Sequence, residues 1–150
     1  YTLSLHDALP ILHYLISNAL DLSGYENFAI DVSNYNDVSE LFLISDCLIT
    51  DYSSVMFDYG ILKRPQFFFA YDIDKYDKGL RGFYMNYMKD LPGPIYTEPY
   101  GLAKELKNLD KVQQQYQEKI DAFYDRFCSV DNGKASQYIG DLIHKDIKEQ

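Results

Sequence analysis

The sequence predicts an α/β domain built on a parallel sheet with helices on both faces. Two patterns carry that expectation. Short apolar runs, Cys47–Thr50 and Gln66–Tyr71, alternate with segments whose apolar residues recur at helical spacing. The runs are continuous rather than alternating, which suits strands buried on both faces. A third observation is size: 150 residues, 47% of them hydrophobic, are enough for one domain with a real core.

The elements follow in order. Leu12–Leu20 is apolar at mixed spacing and suits a short helix or a strand end. Ser23-Gly24 marks a turn, and Phe28–Val32 reads as a short strand. Asn36 or Asp37 caps a helix carrying Val38, Leu41, Phe42 and Ile44. After the strand Cys47–Thr50, a helix over Val55–Leu62 starts from Ser53 or Ser54 and stops at Lys63-Arg64-Pro65. Beyond the strand Gln66–Tyr71, a charged, tyrosine-rich loop runs from Asp72 to Asp90. Pro92-Gly93-Pro94 is a turn leading into a short strand at Ile95-Tyr96. Helices are expected over Gly101–Leu109, Lys111–Phe127 and Ala135–Ile147, the last after a break at Asn132-Gly133.

Composition excludes several functions. A formal net charge of −9 is wrong for a general nucleic-acid binder and for the main electrostatic anchor to anionic lipid. A phosphate site here must be local, made of backbone N–H groups, hydroxyls and one or two cations. Cys47 and Cys128 form neither a disulfide framework nor a zinc spacing, which suits a reducing compartment. No apolar run approaches the roughly 20 residues of a membrane-spanning helix.

The sharpest chemistry lies in SDCLITDYSSVMFDYG, Ser45–Gly60. It reads as strand, tight turn and helix start. In open α/β sheets the crevice beyond the strand ends binds ligands, and free N–H groups at a helix start favour phosphate. Ser53 and Ser54 add two hydroxyls there, and Asp51 at the strand end can orient the loop or meet a ligand hydroxyl. By spacing alone, plain helix capping accounts for the serines at least as well. In Leu80-Arg81-Gly82-Phe83-Tyr84 a planar cation beside a glycine suits a grip on phosphate oxygens; the competing reading is a solvated loop arginine. Asn132-Gly133-Lys134-Ala135-Ser136 places a glycine before a helix start, which capping also explains. His13, in LHYLIS, is more often structural when it stands alone.

From Leu12 onward the chain resembles the C-terminal end of the CDP-glycerol glycerophosphotransferase family, which includes teichoic acid primases and polymerases. The resemblance rests on ELFLISDCLITDYSSVMFDYGILKRPQFFF, LRGFYMNY, LPGP and DNGKAS, in that order. It implies a glycosyltransferase-B-like architecture of two facing Rossmann-like domains, with this chain the C-terminal, donor-binding half. It also implies transfer of glycerol phosphate from CDP-glycerol to a lipid-linked polyol-phosphate acceptor, at the cytoplasmic face of the membrane; no cofactor is expected to be required, and a divalent cation is possible but not evident from the sequence. By the same resemblance Asp51, Ser53, Ser54, Arg81, Gly82, Gly133, Lys134 and Ser136 are donor-binding, and His13 is catalytic. The residue before Gly133 is Asn132, where the family usually has Asp, and Asp131 stands one place earlier. A transferase of the same fold that uses CDP-ribitol or another activated nucleotide, and a non-catalytic nucleotide-binding module, are the alternatives. The acceptor's base is expected in an N-terminal domain that precedes this chain.

Tyr1–Ile11, YTLSLHDALPI, reads as foreign to the gene. The codons ACT CTT TCC CTA CAC GAC GCT CTT CCG ATC of a common sequencing adapter translate to Thr2–Ile11, and the preceding TAC supplies Tyr1. The expected native segment is therefore residues 12–150, and His6 and Asp7 receive no role.

Overall fold

The computed structural model describes residues 8–11, 21–73 and 85–148. The expected element over Leu12–Leu20 lies outside them. The chain divides into two compact units, Tyr1–Leu41 and Phe42–Gln150.

In the first unit Ala8 forms a parallel bridge with Ala29, flanked by Ile30 N–H donating to the Ala8 carbonyl at 2.9 Å and Val32 N–H to that of Pro10 at 3.1 Å. The Phe28–Val32 strand is thus reduced to this ladder. Such pairing uses main-chain groups alone, so it is indifferent to the origin of the residues before Leu12. Gly24 turns the chain at φ +89°, where a side chain would be strained. Helix α1, Val38–Ile44, which runs across the boundary after Leu41, starts as expected, with Asp37 Oδ1 accepting from Ser39 N–H at 2.9 Å.

The second unit holds a three-stranded parallel sheet in the order β1 (Leu48–Thr50), β2 (Gln66–Phe69), β3 (Ile95–Tyr96). Leu48 pairs with Gln66, and Phe68 with Ile95. Alternation along β2 sends its side chains to both faces. Phe68, with Ala70 just beyond, packs among Met56, Tyr87, Leu91, Phe123 and Cys128. Phe67 packs with Leu102 and Val112. Helix α2 (Val55–Gly60) serves the first cluster and α4 (Pro99–Glu105) the second. Helix α5 (Leu109–Phe123) reaches both, through Phe123 and Val112. Its apolar stripe at Val112, Ile120 and Phe123 is buried, as its spacing predicts.

Three departures from the expectation are instructive. β1 is not buried on both faces, because Ile49 is 48% exposed. The end of the tyrosine-rich loop is helical: α3 (Tyr87–Asp90) is capped by Asn86, whose side chain accepts from Lys89 N–H at 3.2 Å. α5 also does not run unbroken to Phe127, since Tyr124–Cys128 forms a π turn. That wider turn brings Cys128 against Gly60, where an added Cβ would lie 3.0 Å from both Cys128 Sγ and a Phe123 ring carbon. The last helix, α6 (Ala135–Lys148), leaves Tyr138, Ile139, Leu142, Ile143 and Ile147 exposed.

The join between α1 and β1 is held by Arg64. One guanidinium nitrogen, Nη1, donates to the carbonyls of Phe42 at 3.2 Å, Leu43 at 2.9 Å and Ser45 at 2.6 Å. A cation at a helix C-terminus meets the orphan carbonyls there. Arg64→Ala is expected to destabilise the chain by about 2 kcal/mol, the scale of hydrogen bonds to a charged group. Urea unfolding followed by circular dichroism measures it. An unchanged midpoint would show that water replaces the guanidinium at no cost.

Candidate functional site

β1 ends at Thr50, and Asp51-Tyr52-Ser53-Ser54 crosses from it to α2. The serine pair therefore lies just beyond the C-terminal end of a parallel strand, at a helix start, where the sequence places it. Asp51, Ser53 and Ser54 are all exposed. The loop is anchored at Asp51 and Tyr52. The buried Tyr87 donates its hydroxyl to the Asp51 carbonyl at 2.7 Å, and Tyr52 donates its own to Asp72 Oδ1 at 2.9 Å.

The capping explanation of the serines is weak here. Ser54 occupies the cap position with helical backbone angles, φ −63° and ψ −12°, and makes no side-chain capping bond. A capping side chain normally needs extended backbone to reach the first-turn N–H groups. Ser53 Oγ accepts from Val55 N–H only at the long distance of 3.4 Å. α2 has just six residues, so its dipole adds less than the sequence suggests. What the loop offers an anion is chiefly two outward hydroxyls on a fixed main chain.

The third motif sits on a separate turn. Gly133 takes φ +75°, and Asn132 Oδ1 accepts from Lys134 N–H at 3.0 Å, directly before α6. Gly133, Lys134 and Ser136 are exposed. Nothing lies within 4 Å of a Cβ built on Gly133, so the glycine serves the backbone angle rather than a close approach. The preceding turn is tied to α2 by Cys128 Sγ, 3.4 Å from the Phe57 carbonyl. His13, Arg81 and Gly82 lie outside the described residues.

Sequence reasoning missed Tyr87, Tyr52 and Asp72 as supports of the loop. For Tyr87 the sequence signal is the density of tyrosines after β2, which names no partner. Sequence reasoning also read Pro92-Gly93-Pro94 only as a turn, without its packing against β2. Leu91–Pro94 are buried, and a Cβ on Gly93 would sit 1.8 Å from the Gln66 carbonyl oxygen. That motif packs one backbone on another.

Neither cysteine is set up as a nucleophile. Burial pushes the Cys47 thiol up to about 11, and burial likewise raises Cys128. A thiol raised in the folded state stabilises the fold below its ordinary value of 9.0 and loses that contribution as pH climbs through about 11. Among the described residues no cluster of three or more His, Cys, Asp or Glu could hold a metal ion, and no helix is long and apolar enough to cross a membrane. Two shallow concavities, of about 130 Å³ beside Lys89 and Arg126 and about 160 Å³ beside Tyr100 and Lys104, do not include the serine loop.

A parallel α/β sheet with an exposed hydroxyl-bearing loop past its strand ends defines a Rossmann-like domain. Comparison with known proteins carries this further. The sequence model of the CDP-Glycerol:Poly(glycerophosphate) glycerophosphotransferase family matches residues 8–145, and the chain belongs to that family. It is 99% identical over 139 residues to the teichoic acid poly(glycerol phosphate) polymerase of Staphylococcus epidermidis, covering 93% of this chain but 19% of the polymerase. It is 52% identical over 134 residues to the teichoic acid glycerol-phosphate transferase of Staphylococcus aureus, covering 89% of this chain and 34% of that protein. The chain thus spans between about a fifth and a third of these relatives. Among solved structures it matches the wall teichoic acid polymerase TagF with a TM-score of 0.85 and 96% identity, over 96% of this chain and 35% of that one. A histidine variant of TagF treated with CDPG matches equally, at a TM-score of 0.85. The fold is therefore the Rossmann-like one that the sequence predicts.

Proposed function

We propose that this chain is the donor-binding part of an enzyme that transfers glycerol phosphate from CDP-glycerol to a lipid-linked teichoic acid acceptor. One observation carries the reading: in a member of this family, Ser53 and Ser54 stand exposed on a braced loop at the C-terminal end of the sheet. An acidic chain of net charge −9 needs such local donors to hold a diphosphate. In the reaction the acceptor's terminal hydroxyl oxygen attacks the glycerol-bearing phosphorus. The bond from that phosphorus to the bridging oxygen breaks, CMP leaves, and the hydroxyl proton passes to a base. Positioning and charge stabilisation dominate such a transfer. Ser53, Ser54 and Arg81 hold the diphosphate, Asp51 orients the loop or a ligand hydroxyl, and Gly133-Lys134 with Ser136 contributes a second anion-facing turn. His13 stabilises charge on a phosphate oxygen. The base and the acceptor site belong to an N-terminal domain, so the chain by itself binds donor without turning it over. The enzyme works at the cytoplasmic face of the membrane as a peripheral protein, with no cofactor.

Glycerol is favoured over ribitol because the relatives named for glycerol phosphate are 40–99% identical, whereas those named for ribitol phosphate are 31–38% identical. The test joins residues 12–150 to the remainder of the Staphylococcus epidermidis polymerase and follows CMP release from CDP-glycerol and from CDP-ribitol. Release from CDP-glycerol alone is expected; preference for ribitol overturns the choice of donor.

Residues 12–150 are taken as the native segment. The Staphylococcus epidermidis match runs over 139 residues, the length that remains once Tyr1–Ile11 are set aside, although the family match begins at Ala8. Sequencing the source locus should give a different series before His13, with a basic residue close by. Finding YTLSLHDALPI in clean genomic DNA would sink this assignment.

A further inference from the structure

We propose that Tyr87 and Tyr52 are positioning residues that fix the serine loop for the donor diphosphate, a role that rests on the donor-site reading above. Tyr87 is 3% exposed and stands between the sheet and the loop. Its ring meets Phe68 of β2 edge-on, with centroids 6.1 Å apart, and meets Tyr52 of the loop at 5.3 Å. Its hydroxyl reaches the Asp51 carbonyl at 2.7 Å. That carbonyl belongs to the first residue past β1, beyond the strand's paired residues Leu48–Thr50. A side-chain donor there stops the loop from peeling off the end of the strand.

Tyr52, the next residue, is tied through its own side chain. Its hydroxyl donates to Asp72 Oδ1 at 2.9 Å, just past the end of β2, twenty residues further along the chain. Burial and Asp72 both raise the pKa of the Tyr52 phenol, so it stays protonated and donating through the neutral range. Two consecutive residues, Asp51 and Tyr52, are thus tied to α3 and to the end of β2, while the side chains of Asp51, Ser53 and Ser54 face solvent. A fixed main chain with free polar side chains is what preorganised binding of a charged group requires, because nothing need be ordered when the ligand arrives. Core packing alone would explain the buried rings. It does not explain two phenol hydroxyls directed at the loop preceding the serines and at the strand end beside it.

The experiment uses the full-length Staphylococcus epidermidis polymerase carrying Tyr87→Phe, Tyr52→Phe, both together, or Ser53→Ala with Ser54→Ala, at the positions aligned with this chain. Phenylalanine keeps each ring and removes only the hydroxyl. KM for CDP-glycerol, KM for the acceptor and the thermal midpoint are measured for each. Each Tyr→Phe change should raise the donor KM about three- to tenfold, the consequence of losing one hydrogen bond. The acceptor KM should stay within about twofold, since the acceptor makes no use of these hydrogen bonds. A purely structural role predicts the reverse, a lowered midpoint with donor KM unchanged. A normal donor KM in both tyrosine variants, beside a raised one in the serine variant, overturns the positioning role and leaves the donor site standing. A normal donor KM in the serine variant overturns the donor site itself, and the positioning role with it.

Discussion

Gly93→Ala is expected to lower the thermal midpoint by roughly 10 °C or more. A Cβ at this position would lie 1.8 Å from the Gln66 carbonyl oxygen and 2.9 Å from its carbon. Both are main-chain atoms of β2, so no side chain can swing aside. The segment cannot back away cheaply either, because the adjacent Pro94 carbonyl accepts from Phe68 N–H at 3.0 Å and sets the β2–β3 pairing. Overpacking a core commonly costs about 1–3 kcal/mol, and a clash of backbone with backbone belongs at or above the top of that range. At several degrees per kcal/mol for a domain of this size, the midpoint falls by about 10 °C. Gly140→Ala supplies the contrast. Gly140 lies in α6 with nothing within 4 Å of an added Cβ, so alanine should raise stability by about 0.5–1 kcal/mol through helix propensity. Calorimetry on both variants checks the pair, and a Gly93→Ala midpoint within about 2 °C of the parent, the shift expected for well under 1 kcal/mol, would mean that LPGP is not seated on β2.

The largest functional effect should come from Ser53→Ala with Ser54→Ala in the full-length polymerase. Each hydrogen bond to a charged group contributes on the order of 1.5–3 kcal/mol. Losing even one in the upper half of that range should lower donor affinity or turnover about tenfold or more. The structure makes the measurement clean. Ser54 makes no capping bond and Ser53 only a 3.4 Å one, so their removal should leave folding nearly unchanged by circular dichroism. Arg81→Ala should act on the same donor step, whereas Lys148→Ala, at the end of α6, should not. Near-normal donor affinity and turnover in a folded double variant would return the serines to marking a helix start.

Much of the fold was legible because its elements announce themselves locally. Cys47–Thr50 and Gln66–Tyr71 are apolar runs bounded by polar turns, and they became β1 and β2 with at most two residues trimmed from an end. The serine pair followed from the same logic, since a strand followed by a short polar turn and a helical pattern fixes where the turn must lie. α3 escaped notice because four residues hold no periodicity, and it owes its existence to the Asn86 cap and the burial of Tyr87. The end of α5 was misjudged because the apolar spacing through Phe127 is compatible with both an α-helix and a π turn. In the folded chain the π turn accompanies packing of Phe57 against both rings, 5.5 Å from that of Phe123 and 5.2 Å from that of Phe127.

The sequence by itself determined the class of fold, the succession of strands and helices along the chain and the place of the serine loop, because each depends on spacing over a few residues. Tertiary structure alone decided the rest. It left Ile49 exposed in a strand whose apolar run predicts burial, set Gly93 against the Gln66 carbonyl, and aimed the Tyr87 hydroxyl at Asp51, thirty-six residues away. Local pattern encodes which way a side chain points from its own element. What it meets there depends on residues brought together only when the strands pair and the helices close over them.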